Sequence, residues 1–402
     1  MLFTLVLFQP NELSSDVLDD LSRPYRGDEH NTILTTNAFR ECLPGVVFCA
    51  SQEECFTKMR LLPYSCGRIF VVSDQFVNHP DAECLWSPTK LLEGIEPYTW
   101  KRHQPHHHEY DRWSTDEAEY LQLLQTVQHQ GEFRMDRTGT GVWSVFGPQL
   151  EFDLEKGFPL FTTKRVPFDK VVHEVMWYLS GETDTSYLRA NRVLVWEDNT
   201  SRAFLDARGL DDYKIGETGP LYGFQWRHFG GDFRDVKNRP GVDQLTRVLH
   251  ILRTEPTSRR MFLSAWNPVD LDKMCLEPCH VSFQLFVRNG THLDGKVYLR
   301  SNDLFLGAPW NIAAYALLLV MFGHLSGYLP GKLIYTLGDA HVYATHLDAI
   351  DKMRDRPLRP LPRVQIVEDK NHPICGWDDF SMEHFQLHNY LPHPPIVAKM
   401  AV

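Results

Sequence analysis

The residue best suited to start a reaction in this chain is Cys279, in Glu277-Pro278-Cys279-His280. A thiolate is the strongest side-chain nucleophile near neutrality. Arg259-Arg260 lie twenty residues upstream and Arg300 follows on the next expected strand. A guanidinium nearby favours the thiolate and lowers the pKa of its thiol. The alternative is a buried structural thiol, the common fate of cysteine. His280 is not automatically a base for Cys279, since strand neighbours point to opposite faces. Glu174 interrupts an apolar helix face formed by Phe168, Val171, Val172, Val175 and Leu179. Turned inward it is a desolvated acid/base with a raised pKa; turned outward it is a solvated surface group. Arg137 sits in the loop Asp136-Arg137-Thr138-Gly139-Thr140-Gly141. With Arg259, Arg260, Arg300 and Ser301 it makes up a set of donors suited to phosphate oxygens, if the fold gathers them. Asn311 either caps the buried helix beginning at Ile312 or reads the edge of a substrate. Trp196, Trp226, Trp266 and Trp310 are core residues or platforms for a planar heterocycle.

These residues need a large scaffold, and 402 residues supply one, with two or three domains as the expectation. Apolar residues are 43% and charged residues 23%, ordinary for a globular chain. The net charge of −11 argues against a general nucleic-acid binder. It leaves room for a small anionic substrate held by a few arginines. The apolar run Ile312 to Phe322 is too short to span a bilayer and reads as a core helix. Met1 to Phe8 lacks a positive leader and reads as a first strand. The eight cysteines form no CxxC pair, so no zinc site is expected; a reducing compartment is the expectation, the cytoplasm first, with mitochondrion and nucleus left open.

Composition shifts near residue 105, where Arg102 to Glu109 carries His106-His107-His108. Without accompanying ligands that histidine run reads as linker. The boundary expected is therefore 1–108 and 109–402. In the first part, Phe3 to Phe8, Thr32 to Leu34, Val46 to Cys49 and Ile69 to Val72 read as strands of a small α/β unit. In the second, Ser114-Thr115-Asp116-Glu117 matches a capping box ahead of Tyr120, Leu124 and Val127. Further helices are expected over 168–179, 242–252 and 312–322, with strands at 281–287, 296–300 and 364–367. Strands separated by long helices give an α+β or α/β fold.

From about Tyr110 to Val402 the chain resembles the thymidylate synthase family. The segments that carry the resemblance are DRTGTG (136–141), FTTKR (161–165), GPLYGFQWRHFG (219–230), SRR (258–260), AWNP (265–268), EPCH (277–280), RSNDLFLGAPWNIA (300–313), TLGDAHVY (336–343) and the terminal MAV. Agreement at so many places in order is far more specific than one motif. The resemblance implies a large mixed sheet covered by helices, and conversion of dUMP to dTMP with 5,10-methylenetetrahydrofolate, releasing dihydrofolate, without a metal. It implies Cys279 as the nucleophile at C6, Glu174 as the proton-handling group through ordered water, and Tyr222 as helper in removing the C5 proton. Asn311 reads the pyrimidine edge. Arg137, Arg259, Arg260, Arg300 and Ser301 match the phosphate ligands, His341 and Tyr343 the deoxyribose ligands, and Gln284 and Asp303 further nucleotide contacts. Lys164, Trp196, Asn199, Asp303, Gly307, Trp310 and Val402 match the folate side. A homodimer is implied, with Arg259 and Arg260 contributed across the interface.

Asn311 separates two relatives. An amide suits the 4-oxo group and N3–H of uracil, whereas related hydroxymethylases acting on dCMP carry Asp there. Departures from the family pattern are Glu277 for a Pro, Trp310 for a Phe that contacts the folate ring, Glu197 for Asp, Thr345 for Asn, and Ser180-Gly181-Glu182. Residues 31–80 resemble the later half of a dihydrofolate reductase, which precedes thymidylate synthase in some chains. There Ser73-Asp74 replaces the Gly-Gly that lets cofactor phosphates approach. The expectation is a non-reducing remnant without NADPH, or an unrelated α/β appendage. Two other readings of the whole remain open at this stage. One is a catalytically silent homologue serving as an interaction subunit, and the other is a deoxypyrimidine-monophosphate hydroxymethylase.

Overall fold

The computed structural model describes residues 3–7, 32–35, 46–48, 68–72, 82–86 and 98–99 as backbone. It also describes residues 115–399 except 137–138, 236–237, 239 and 369–372. Two compact units emerge, Met1–His106 and His107–Glu368 with Ile374–Val402.

The first unit holds one sheet of β1 (Phe3–Leu7), β2 (Thr32–Thr35), β3 (Val46–Phe48), β4 (Arg68–Val72), β5 (Ala82–Trp86) and β6 (Tyr98–Thr99). The order is β3-β2-β1-β4-β5-β6, parallel except for β6. Continuous apolar runs such as FTLVL and RIFVV are what parallel strands require. Four of these strands are legible as apolar runs, while β5 and β6 carry no such signal. The His106–His108 run and the Ser73-Asp74 position lie outside the described residues.

The second unit opens with α1 (Thr115–Gln130), then β7 (Glu132–Arg134), β8 (Val142–Phe146) and β9 (Gln149–Asp153). Helices α2 (Phe168–Ser180), α3 (Ser186–Ala190), α4 (Arg202–Ala207), α5 (Tyr222–His228) and α6 (Gln244–Thr254) follow. Next come β10 (Phe262–Ser264), β11 (His280–Arg288), β12 (His292–Asp303), α7 (Gly307–Ser326) and β13 (Leu329–Tyr343). The chain closes with α8 (Leu347–Arg354), β14 (Arg363–Ile366) and β15 (Phe385–His388). The mixed sheet runs β10-β11-β12-β13-β8-β7, with β9 also paired to β13. Only β12 and β13 are parallel, because the crossover between them is α7.

Helix α7 is apolar nearly all round, and its residues from Ile312 to Leu319 are all buried. It is long and apolar enough to cross a membrane, but its burial marks it as the core helix. It starts at Gly307, five residues before the expected Ile312. Pro309 stands in the first turn, where no intrahelical donor is lost. Asn311 is therefore inside the helix and does not cap it. Glu117 also departs from the capping-box expectation. Its carboxylate accepts the backbone N–H and hydroxyl of both Thr162 and Thr163 at 2.7–2.9 Å. Helix α1 thereby holds the 162–164 turn.

Candidate active site

The turn entering β11 is gripped from three sides. The Cys279 N–H donates to Tyr222 Oη at 2.8 Å, and the Arg300 N–H donates to the Cys279 carbonyl at 2.9 Å. The Arg300 guanidinium donates to the carbonyls of Pro278 and Glu277, both at 2.9 Å. Its planar fork thus fixes the backbone just before the sulfur. A register shift between His280 and Ser282 follows at once, the kind of irregularity that re-aims a side chain. Cys279 is half-buried and reduced. Cys275, four residues back, is fully buried, and burial pushes its thiol up to about 12. Of the two, only Cys279 is placed to react.

His280 is buried against Tyr222, with ring centroids 4.8 Å apart, and against Tyr315 at 5.3 Å. Burial pulls it down to about 4, against a smaller opposing effect of its hydrogen bond with Asn311. It is a neutral imidazole at physiological pH.

Glu174 faces inward from α2 and is almost fully buried. Oε1 accepts the Trp196 indole N–H at 2.9 Å and Oε2 that of Trp310 at 2.6 Å. Burial raises its pKa, while hydrogen bonds from Trp310, Trp196 and Tyr178 pull the other way. Tyr222 reaches this carboxylate's surroundings because α5 packs tightly on α2. A Cβ at Gly223 would lie 2.5 Å from the Tyr178 carbonyl oxygen. The Tyr222 ring then meets Tyr178 at 5.2 Å and Trp196 at 6.0 Å. One chain of contacts therefore runs from Cys279 through Tyr222 and Trp196 to Glu174 and Trp310.

Asn311 bonds both His280 and Tyr335 through its side chain. At the start of α7, a Cβ on Gly307 would lie 3.3 Å from Asn302 Nδ2 and 3.6 Å from Asn311 Nδ2. Asp303 Oδ1 accepts the N–H of Phe305 at 2.9 Å and of Leu306 at 3.3 Å, which shapes the turn into α7. Lys164 is buried, donates to the Phe305 carbonyl, and stands 3.9 Å over the Phe305 ring. Burial pulls its ammonium down to about 8, and Asp303 opposes that. In the β12–β13 register Ser301 pairs with Asp339 and Asp303 with His341. The His341 ring bonds Asp339 at 3.0 Å and touches Tyr343 at 5.3 Å. Asn199 is buried in the turn just after Trp196.

Three residues sit apart from this cluster. Gln284 lies five residues along β11 from Cys279, roughly 17 Å at strand rise. Its amide donates to the Arg259 carbonyl at 3.4 Å. The pleat turns Gln284 away from the core that holds Phe283 and Leu285, so it is not a site residue within its own chain. Arg259 and Arg260 are exposed beside it. Arg137 and Val402 lie outside the described residues. Sequence reasoning missed Tyr178 and Tyr335. The first was legible, standing one turn after Glu174 on the same helix face. The second lies on β13, a strand with no separate apolar run to announce it.

With the geometry in place, comparison with known proteins names the class. A family model described as Thymidylate synthase matches residues 118–402. The thymidylate synthase of Herpesvirus ateles is 45% identical over 289 residues, which is 71% of this chain and 98% of that protein. The thymidylate synthase of Saccharomyces cerevisiae is 44% identical over 305 residues, covering 73% and 99%. The human thymidylate synthase is 45% identical over 289 residues, covering 71% and 91%. The chain belongs to the thymidylate synthase family and is an enzyme of that methyltransferase type. A bifunctional dihydrofolate reductase-thymidylate synthase of Arabidopsis thaliana is also similar, at 42% over 290 residues, half of that protein's length.

Proposed function

We propose that residues 109–402 convert dUMP to dTMP with 5,10-methylenetetrahydrofolate and that residues 1–108 take no part in the chemistry. The single observation that carries this is the half-buried Cys279 in a turn fixed by Tyr222 and Arg300, joined by contacts to a buried Glu174. Cys279 attacks C6 of the uracil as thiolate, and the electron pair passes to C5. The bond from the methylene carbon to N10 of the co-substrate opens, its electron pair going to N10 with a proton, and C5 bonds the resulting N5 iminium carbon. Tyr222 and ordered water on Glu174 help remove the C5 proton. The folate leaves from the one-carbon unit, then returns a hydride to it. As the sulfur–C6 bond breaks, dTMP forms and the folate is oxidised to dihydrofolate.

Asn311 reads the O4 and N3–H edge. Ser301, Arg300, His341 and Tyr343 hold phosphate and sugar, with Arg137. Lys164, Asn199, Trp196, Trp310, Asp303 and Gly307 form the folate side, and Val402 the closing tail. A buried lysine beside aromatic groups suits a planar ring with carboxylates. The reducing cytoplasm suits a reactive thiol.

We also read the active unit as a homodimer. Phe262, Gln284, Lys296 and Ile334 form one cross-strand row over β10 to β13 on the face opposite Phe283, Val297 and Leu333, which pack into the core. Phe262 is 47% exposed and Phe286 62% exposed in the single chain. A sheet face carrying such residues is covered by a two-fold mate at low cost. Arg259 and Arg260 stand at its edge and would reach the partner's phosphate site.

The test gives purified protein dUMP and methylenetetrahydrofolate. Dihydrofolate with dTMP supports the proposal. Tetrahydrofolate with a hydroxymethyl product would make the chain a hydroxymethylase, and no turnover would make it a silent subunit.

A further inference from the structure

We propose that Trp310 is a positioning residue for Glu174: its indole N–H, 2.6 Å from Oε2, holds the oxygen opposite the one that Trp196 bonds and so sets where the carboxylate points. The inference rests on Glu174 being the proton-handling group.

Indole is a donor with no acceptor. Two indoles on the two oxygens, with a further hydrogen bond from Tyr178, favour the ionised carboxylate over the acid, which must carry its proton on one of those oxygens. Burial works the other way and raises the pKa of Glu174. Trp310 therefore offsets part of the desolvation that makes Glu174 a strong proton acceptor. A Phe at 310, the residue the family pattern carries, would fill the space and supply no donor. The two tryptophans come from different elements, α7 and the segment after α3, so the carboxylate is held between two parts of the core.

The tyrosines and the histidine around Glu174 do not mimic its titration. Tyr178, on its own helix, and Tyr222, on α5, are held well above 10 by burial, and burial likewise pushes Tyr315, on α7, far up. His280, from β11, lies near 4, and no bond from it to Trp310 is found among the described residues. Cys279 meets Tyr222 through its backbone N–H and is the same residue in every variant compared, so it does not account for a shift between them.

The experiment is the pH dependence of kcat/KM for the full chain and for Trp310→Phe, with Trp196→Phe as a second variant. The acid limb carries protonation of Glu174 and of the Cys279 thiolate together. Cys279 is common to all the proteins compared, so the shift of the limb between them reports Glu174, and the limb is expected at higher pH in both variants. On that limb kcat/KM is expected to fall about tenfold, the loss that goes with one charge-assisted hydrogen bond. The position of the limb, not the plateau height, is the readout. A limb that stays in place or moves to lower pH in Trp310→Phe overturns the proposal and leaves Trp310 a packing or folate-contacting residue. Glu174→Gln separates this from the reading beneath it. Full turnover in Glu174→Gln would end the role of Glu174 itself. A dead Glu174→Gln with an unmoved limb in Trp310→Phe would end only the role of Trp310.

Discussion

Lys164 links burial to pH in a way that one substitution isolates. Its folded ammonium titrates near 8, against about 10.5 for an ordinary lysine, so the fold prefers the neutral amine. Below pH 8 both folded and unfolded chains are protonated and the contribution to slope is nil. Between pH 8 and 10.5 the unfolded chain binds more protons, so this residue makes stability rise with pH. The total is on the order of 3 kcal/mol. Lys164→Met is expected to remove that rise, as seen in the difference between variant and wild-type denaturation curves at pH 8 and pH 10. Asn311 offers a second test at this scale. Asn311→Asp is expected to shift preference from dUMP toward dCMP, since a carboxyl suits the 4-amino group. Competition between the two nucleotides measures it, and unchanged selectivity would contradict the edge-reading role. Glu174 stood out because a carboxylate is costly on an apolar helix face, and Cys279 because arginines flank it in the sequence. The two indole bonds to Glu174 did not, because they join residues 22 and 136 positions apart.

Among the elements, α1 does more than cover the sheet. Glu117→Ala leaves four buried donors of Thr162 and Thr163 without their acceptor. The expected loss is about 3 kcal/mol, since several buried neutral donors are left unpaired at about 1–3 kcal/mol each unless water reaches them. It is read by chemical denaturation, and a loss under about 1 kcal/mol would show that water replaces the carboxylate. Helices were legible through their period: α2 and α6 read almost as they stand, with Gly181 at φ 69° ending α2 as expected. Boundaries failed where local rules compete. Gly307-Ala308-Pro309 looks like a break in the sequence and is the first turn of α7. Strands β8 and β9 pair with β13, far along the chain, so short polar stretches such as QLEFD become strands through pairing alone.

At the scale of the molecule, the single chain leaves a sheet face open and two arginines unused. The proposed dimer would resolve both. Cys279→Ser and the double variant Arg259→Ala/Arg260→Ala are each expected to lose turnover as homodimers. Mixed and re-equilibrated, they are expected to recover about a quarter of wild-type activity. Half the dimers are then hybrid, and each hybrid holds one complete site. No recovery in a mixture that sedimentation shows to be hybridised would place both arginines in their own chain's site. The change in composition near residue 105 set the expected boundary. What residues 1–108 do was not legible, since their apolar runs specify a parallel sheet and no chemistry.

The most direct test of the central claim is whether the sulfur of Cys279 bonds the pyrimidine. Full-length protein is incubated with 5-fluoro-dUMP and methylenetetrahydrofolate, and the peptide carrying residue 279 is weighed by mass spectrometry. Fluorine blocks loss of the C5 substituent, so the trapped complex is expected on Cys279 and absent from Cys279→Ser. An unmodified Cys279 peptide, or an adduct on another cysteine, would contradict the account.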